Sequence, residues 1–201
     1  MSRAHGSLRR IAPALAVVGA LATGCATLQQ VSALRQVDFT IDRVTDVRLA
    51  GIAVAAKRSF RDLSLAEATT LGSAVSRRQL PLDLTVHLRG VNPAANSVSA
   101  RLVRLEWTLL LEDSETVSGT LDREVVFPPG EPQDVPIAIQ LNLVEFFERN
   151  AQDLFALALN LTGQGGAPKT VTLRAVPTIN TALGPIRYPG PITIVSGEVG
   201  R

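Results

Sequence analysis

LPLDLTVHLRGVNPAANSVSARLVRLEWTLLLED, residues 80–113, decides the fold class of this chain. Leu82, Leu84, Val86 and Leu88 share one parity, and Asp83, Thr85, His87 and Arg89 share the other. Val103, Leu105, Trp107, Leu109 and Leu111 repeat the pattern against Arg104, Glu106 and Thr108. Successive side chains on a strand point to opposite faces, so each limb reads as a half-buried strand. Between the limbs, Gly90-Val91-Asn92-Pro93-Ala94-Ala95-Asn96-Ser97 concentrates turn formers. Asn supplies a side-chain cap for a turn, and Pro fixes φ and ends a ladder. The expectation is a β-hairpin with Asn92 and Pro93 as its structural turn. Trp107 falls in phase with the core aliphatics; a Trp107 that contacts a ligand is the alternative.

Outward from this stretch, short strand patterns dominate. Val37, Phe39 and Ile41 alternate with Asp38, Thr40 and Asp42, and a second apolar stretch covers 47–55, with Gly51 marking a bulge. Ser64-Leu65-Ala66-Glu67 is a capping box, and Leu65, Ala68, Leu71 and Val75 recur at helical spacing, predicting a helix over 65–77. Strands are expected at 119–127 and at Val135, Ile137, Ile139 and Leu141, where Pro136 points to an edge position or a strand start. Asn142-Leu143-Val144-Glu145 reads as a second cap, predicting a helix over 143–153. Phe155, Leu157, Leu159 and Leu161 then alternate as a strand, a glycine-rich turn follows at 163–169, and strands begin at Val171 and at Ile192. Eight or nine strands with two short helices predict an all-β, antiparallel immunoglobulin/fibronectin-III-like β-sandwich over 37–197.

The amino end reads as an address. Residues 1–10 hold Arg3, Arg9 and Arg10 and no acid, and IAPALAVVGALA at 11–22 is too short for a membrane span, which needs about 20 apolar residues. Leu21-Ala22-Thr23-Gly24-Cys25 resembles the lipobox of bacterial lipoproteins, in which the cysteine is lipidated and becomes the new amino terminus. Cys25 is the only cysteine, and a lone thiol in an exported protein otherwise lacks a partner. An ordinary secretory signal that contains a cysteine is the alternative. Several acyl chains, at about 0.8 kcal/mol per buried methylene, anchor a protein stably where one is marginal. Residues 1–25 are therefore expected to be a lipoprotein signal and 26–36 a tether. Ala26 rather than Asp after the cysteine implies outer-membrane sorting, facing the periplasm, in a Gram-negative cell.

Composition narrows the function classes. Hydrophobic residues make up 46% and charged residues 19%, which suits a folded domain, and with only 4% aromatics the core must be aliphatic. The sequence pI of about 9.2 comes from the leader. Three of the 20 basic residues lie in the first ten positions; without them 17 basic residues face 18 acidic ones. No cluster of five cations follows, so a nucleic-acid surface is not expected. After the leader one histidine remains, His87, read as a solvent-facing strand residue without the second histidine or thiol that zinc requires. Glu112-Asp113-Ser114-Glu115 reads as a solvated hairpin tip rather than a calcium loop. No nucleophile elbow, phosphate loop or dinucleotide fingerprint follows a strand. The expectation is a protein that is not an enzyme, with no cofactor and no metal.

Val91-Asn92-Pro93, followed by Leu105-x-Trp107-x-Leu109 and by the proline-bearing strand Val135-Pro136-Ile137, resembles the late-embryogenesis-abundant type 2 family, also called the water-stress and hypersensitive-response (WHy) domain. The resemblance covers about residues 37–195 and is most specific over 82–141; this chain has Ala94 where the family commonly has a second asparagine, with Asn96 nearby. It implies a fibronectin-III-like sandwich and a role in desiccation or stress protection. It also implies a lipid-binding or lipid-transfer role for related domains. The function expected is that of a lipid-anchored, non-catalytic envelope protein that protects or binds partners, with membrane contact through acylated Cys25. A lipid-binding or transfer module is the alternative, and an adhesion or assembly module a third.

Overall fold

The computed structural model describes residues 33, 36–163, 171–181 and 184–195; the leader with Cys25 and most of the tether lie outside them. The described residues form β1 (Asp38–Leu49), β2 (Ile52–Ala53), α1 (Leu65–Ser76), β3 (Pro81–Val91), β4 (Ala100–Leu111), β5 (Ser114–Leu121), β6 (Val125–Phe127), β7 (Pro132–Asn142), α2 (Ala151–Leu161), β8 (Val171–Thr181), β9 (Gly184–Arg187) and β10 (Ile192–Val195). One sheet runs β2-β1-β3-β7; the other runs β10-β8-β4-β5, with β6 also on β4 and β9 on β8. The named strands pair antiparallel throughout. The chain is thus mostly antiparallel β-sheet with two short helices, and both sheets contribute to one apolar core.

The decisive stretch does not form a hairpin. Each limb is a strand as expected, but β3 belongs to the four-stranded sheet and β4 to the six-stranded one, so residues 92–99 carry the chain from one sheet to the other. The reason lies in Asn92, which is 0% exposed. Its Nδ2 donates to the carbonyls of Phe127 at 2.9 Å and Val98 at 3.1 Å. Asn96 Nδ2 donates to its Oδ1, and its own carbonyl accepts from the Gly130 amide at 2.7 Å. A two-residue turn would have had no use for this amide. A crossover has several stray backbone groups to satisfy, and one buried asparagine satisfies them.

Other parities shift for equally local reasons. Ile41, Val44, Val47 and Leu49 all face inward on one continuous strand, because β1 gains an extra residue against β3 between Ile41 and Arg43 and again between Thr45 and Arg48. These bulges, at Asp42 and Asp46, hide the alternation and split β1 into two stretches on paper. Asp46 takes a φ of 55°, a conformation Asp tolerates better than most residues. A register slip near Val103 likewise turns Leu102, not Val103, into the core. Glu112 and Asp113, at φ 50° and 63°, make the two-residue turn that joins β4 to β5.

The larger correction concerns 142–161. The expected helix at 143–153 is a single 3₁₀ turn at Leu143–Glu145, and the expected strand at 155–161 is helical, within α2. Asn142 does not cap a helix. Its Oδ1 accepts from the Leu80 amide at 2.8 Å, and its Nδ2 donates to the Arg78 carbonyl at 3.0 Å. The helix begins at Asn150, whose Oδ1 accepts from the Asp153 amide at 2.9 Å. Leu154, Phe155, Leu157, Ala158, Leu159 and Leu161 are all buried, so apolar residues occupy most of the helix circumference and a period of two fits by accident. α2 packs on β1, and Phe155 meets Phe60 edge-to-face at 5.8 Å. β9 was not anticipated; its exposed Pro185, Ile186 and Arg187 leave no alternating pattern.

β7 lies at the edge of its sheet, as Pro136 foretold. α1 begins at the expected capping box: the Glu67 amide donates to Ser64 Oγ at 3.2 Å and the Ser64 amide donates to Glu67 Oε2 at 2.8 Å. Lys57 Nζ also donates to Glu67 Oε2 at 2.9 Å. That ammonium chiefly, then the Ser64 amide, holds the Glu67 carboxyl down to about 2 from its usual 4.5.

Two predictions follow from these contacts. Asn92→Ala leaves the buried Phe127 carbonyl and the part-buried Val98 carbonyl without this donor and is expected to lower unfolding free energy by about 2 kcal/mol in urea denaturation. A loss below about 0.5 kcal/mol would show that the crossover does not depend on the amide. Because the folded pKa of Glu67 is depressed, its contribution is present above pH 4.5 and is lost as pH falls toward 2. Glu67→Gln is therefore expected to destabilise the domain at neutral pH and to match it near pH 2, read as thermal midpoints across that range; parallel curves would contradict the assignment.

Candidate functional site

The sequence-predicted site residues do not converge. Asn92 and Pro93 sit in the crossover, where Nδ2 and Oδ1 of Asn92 are engaged internally and leave little for a ligand. Cys25 lies outside the described residues. Trp107 is 8% exposed and belongs to the core. Its indole covers Gly119, its register partner on β5; a Cβ there would meet the ring at 2.4 Å, so the pair interlocks an aromatic with a missing side chain. The indole Nε1 is buried with no hydrogen-bond partner. Such a donor costs about 1–3 kcal/mol.

On the outer face of the six-stranded sheet runs an open groove of about 500 Å³ whose lining includes Trp107 itself, with Glu106, Thr108, Ser118, Thr120, Arg174 and Pro191 among others. Thr108 and Ser118 share a hydrogen bond across its floor at 2.8 Å. Its charges are already paired: Arg187 Nε donates to Glu106 at 3.1 Å, and Arg174 bonds Glu115. The same face carries Arg101–Glu124 at 2.9 Å and Arg104–Asp122. Hydrogen bonds from Arg187 and Arg104 hold the Glu106 and Asp122 carboxyls below their usual range. A second open groove, of about 480 Å³, lies by α1 and the segment after β7, where the Arg149 guanidinium sits 5.1 Å above Phe147. Neither groove is an enclosed apolar cavity.

The densest polar constellation is on the outer face of the four-stranded sheet, around the one residue that sequence reasoning had read as solitary. His87 Nδ1 lies 2.9 Å from Asp134 Oδ2 on β7 and 3.0 Å from a guanidinium nitrogen of Arg43 on β1. Its Nε2 lies 3.0 Å from Thr45 Oγ1. Thr45 Oγ1 in turn donates to Asp46 Oδ2 at 3.1 Å, and Arg43 donates to Asp134 at 3.3 Å and to Asp42. The His87 side chain is only 14% exposed. These residues are far apart in sequence, and strand register, which composition does not reveal, brings them together. Both ends of β1's contribution sit at its bulges, which turn Arg43 and Thr45 outward on the same face.

Hydroxyl, imidazole and carboxylate stand here in the order of a nucleophile relay. The relay lies on a sheet face outside both grooves described. Among the described residues no group of three or more His, Cys, Asp and Glu is placed to hold a metal ion. Among them, too, no helix is long and apolar enough to cross a membrane.

No protein-family model and no curated protein matches the chain. Among solved structures, a late embryogenesis abundant (LEA) protein solved in solution is 13% identical, with a TM-score of 0.36, covering 91% of this chain and 80% of that one. The ApaA protein from Bordetella pertussis is 14% identical at a TM-score of 0.34, covering 80% of this chain and 94% of that one. A protein from Archaeoglobus fulgidus is 11% identical at a TM-score of 0.34, covering 58% of this chain and 82% of that one. The chain is thus distantly similar in structure to a late embryogenesis abundant protein among others.

Proposed function

We propose that the domain is a fibronectin-III-like sandwich of the late-embryogenesis-abundant type 2 class, exported and tethered to a membrane through acylated Cys25. In this reading it works without catalysis, protecting envelope components or binding partners during water stress. The observation that carries the reading is the Asn92-Pro93 crossover. The residue pair on which the sequence resemblance rests is the pair that joins the two sheets, with Asn92 fully buried. The strand order supports the sandwich: consecutive strands β3 and β4 belong to different sheets, as in Greek-key arrangements.

Protection or partner binding is favoured over lipid carriage by the way the interior is filled. Phe127, Phe155, Leu49, Leu71, Leu82 and Leu88 are among the largest side chains and are fully buried, and the two grooves described are open and partly polar. An acyl chain needs a continuous apolar slot, and neither groove described is one. The outer faces also suit a hydrated surface, with exposed arginines and carboxylates in ion pairs.

Two experiments test the proposal. Heating or drying a labile enzyme with the purified protein is expected to reduce its aggregation, and deleting the gene is expected to sensitise cells to drying; the absence of both effects would sink the protective reading. Mass spectrometry of protein extracted from membranes is expected to show an acylated amino terminus at Cys25 and no further lipid. Cys25→Ser is expected to leave the membrane fraction. A co-purifying lipid bound to the folded domain would transfer the reading to lipid carriage, and an unmodified Cys25 would remove the anchor.

A further inference from the structure

His87 Nδ1 stands between a donor and an acceptor, and it cannot satisfy both. The guanidinium of Arg43 can only donate, at 3.0 Å, and the carboxylate of Asp134 can only accept, at 2.9 Å. The other side of the ring decides what Nδ1 carries. The single hydroxyl proton of Thr45 is committed to Asp46 Oδ2 at 3.1 Å, so Thr45 Oγ1 is left to accept and Nε2 must hold a proton to reach it at 3.0 Å. A neutral imidazole has one ring proton, and with Thr45 as acceptor that proton falls to Nε2. Nδ1 is then bare and accepts from Arg43. Adding a proton fills Nδ1, which repels Arg43 and donates to Asp134.

We propose that His87 is a proton-operated partner switch that moves the side-chain tie of β3 from Arg43 on β1 to Asp134 on β7. The switch lies across the three longest strands of its sheet. Its charged surroundings come from each of them: Asp42, Arg43 and Asp46 on β1, Arg89 on β3, and Asp134 on β7. Protonation releases Arg43 from the ring while Asp42 still binds it. It also reinforces the chain Asp134–His87–Thr45–Asp46, whose last member holds a bulge residue at φ 55°. Protonation therefore draws the middle strand toward the proline-bearing edge and leaves the bulged strand one cationic tie fewer.

Imidazole ¹⁵N–¹H correlation spectra on the full chain test this, with His5→Gln leaving His87 as the single histidine. The expected result at high pH is the Nε2–H tautomer, and the Arg43 side-chain signals are expected to titrate with the ring. An Nδ1–H tautomer at high pH would overturn the switch. It would make Asp134 the permanent acceptor and Thr45 the donor to Nε2, the arrangement of a nucleophile relay, for which nitrophenyl acetate hydrolysis abolished by Thr45→Ala is the signature. Variants that fail to fold do not affect the tautomer measurement on the otherwise unaltered chain.

Discussion

Everything in this domain hangs on the middle strand β3, and β3 is pinned at each end by an asparagine amide. At its end, Asn92 turns inward and binds carbonyls from the crossover and from Phe127, at the end of β6. At its start, the side chain of Asn142, at the end of β7, takes the Leu80 amide and the Arg78 carbonyl. An asparagine amide both donates and accepts, so it can replace a missing stretch of backbone ladder where the chain leaves a sheet. Hydrophobic burial supplies the drive to collapse, but it is not directional. The two amides say where the strand must stop, and so which sheet the next strand joins.

Between these pins the core follows from shape. Phe127 packs edge-to-face on Phe39 at 5.5 Å, and both rings crowd the position where Gly90 lacks a side chain; a Cβ there would lie 2.4 Å from Phe127. Trp107 over Gly119 repeats the device in the other sheet. In a chain poor in aromatics, Phe127 and Trp107 are thus each matched to a glycine on another strand. Aliphatic residues fill the remainder, and most are nearly or wholly inaccessible to solvent.

Alternation made β3 and the inward residues of β4 from Leu105 onward legible, because these segments carry no extra residue over that span. It failed at β1 because two aspartates each insert one position, converting a spacing of two into three. It failed at α2 because that helix is buried around most of its circumference, where any period fits; the informative sign was Asn150 three residues before Asp153, together with Ala151, Ala156 and Ala158. The crossover could not be told from a hairpin, since both need the same turn chemistry and differ only in the sheet that β4 joins. The His87 cluster was invisible for a related reason. Its members alternate correctly on their own strands, but only the register between β1, β3 and β7 sets them side by side. A lone histidine in a sequence is therefore no guide to a lone histidine in a sheet.

The four-stranded sheet ends on one side in β2, only two residues long, and on the other in β7, which carries Pro132 and Pro136. A sheet edge recruits other chains by presenting a row of free amides and carbonyls. Here β2 covers only Arg48 and Leu49 of β1, so the first border is mostly β1, whose row is broken by the bulges at Asp42 and Asp46; the other border carries two residues that cannot donate. Loss of water drives solutes together, and under that crowding unprotected edges zip into cross-β aggregates. Both borders of this sheet carry features that interrupt such a row, two bulges on one side and two prolines on the other.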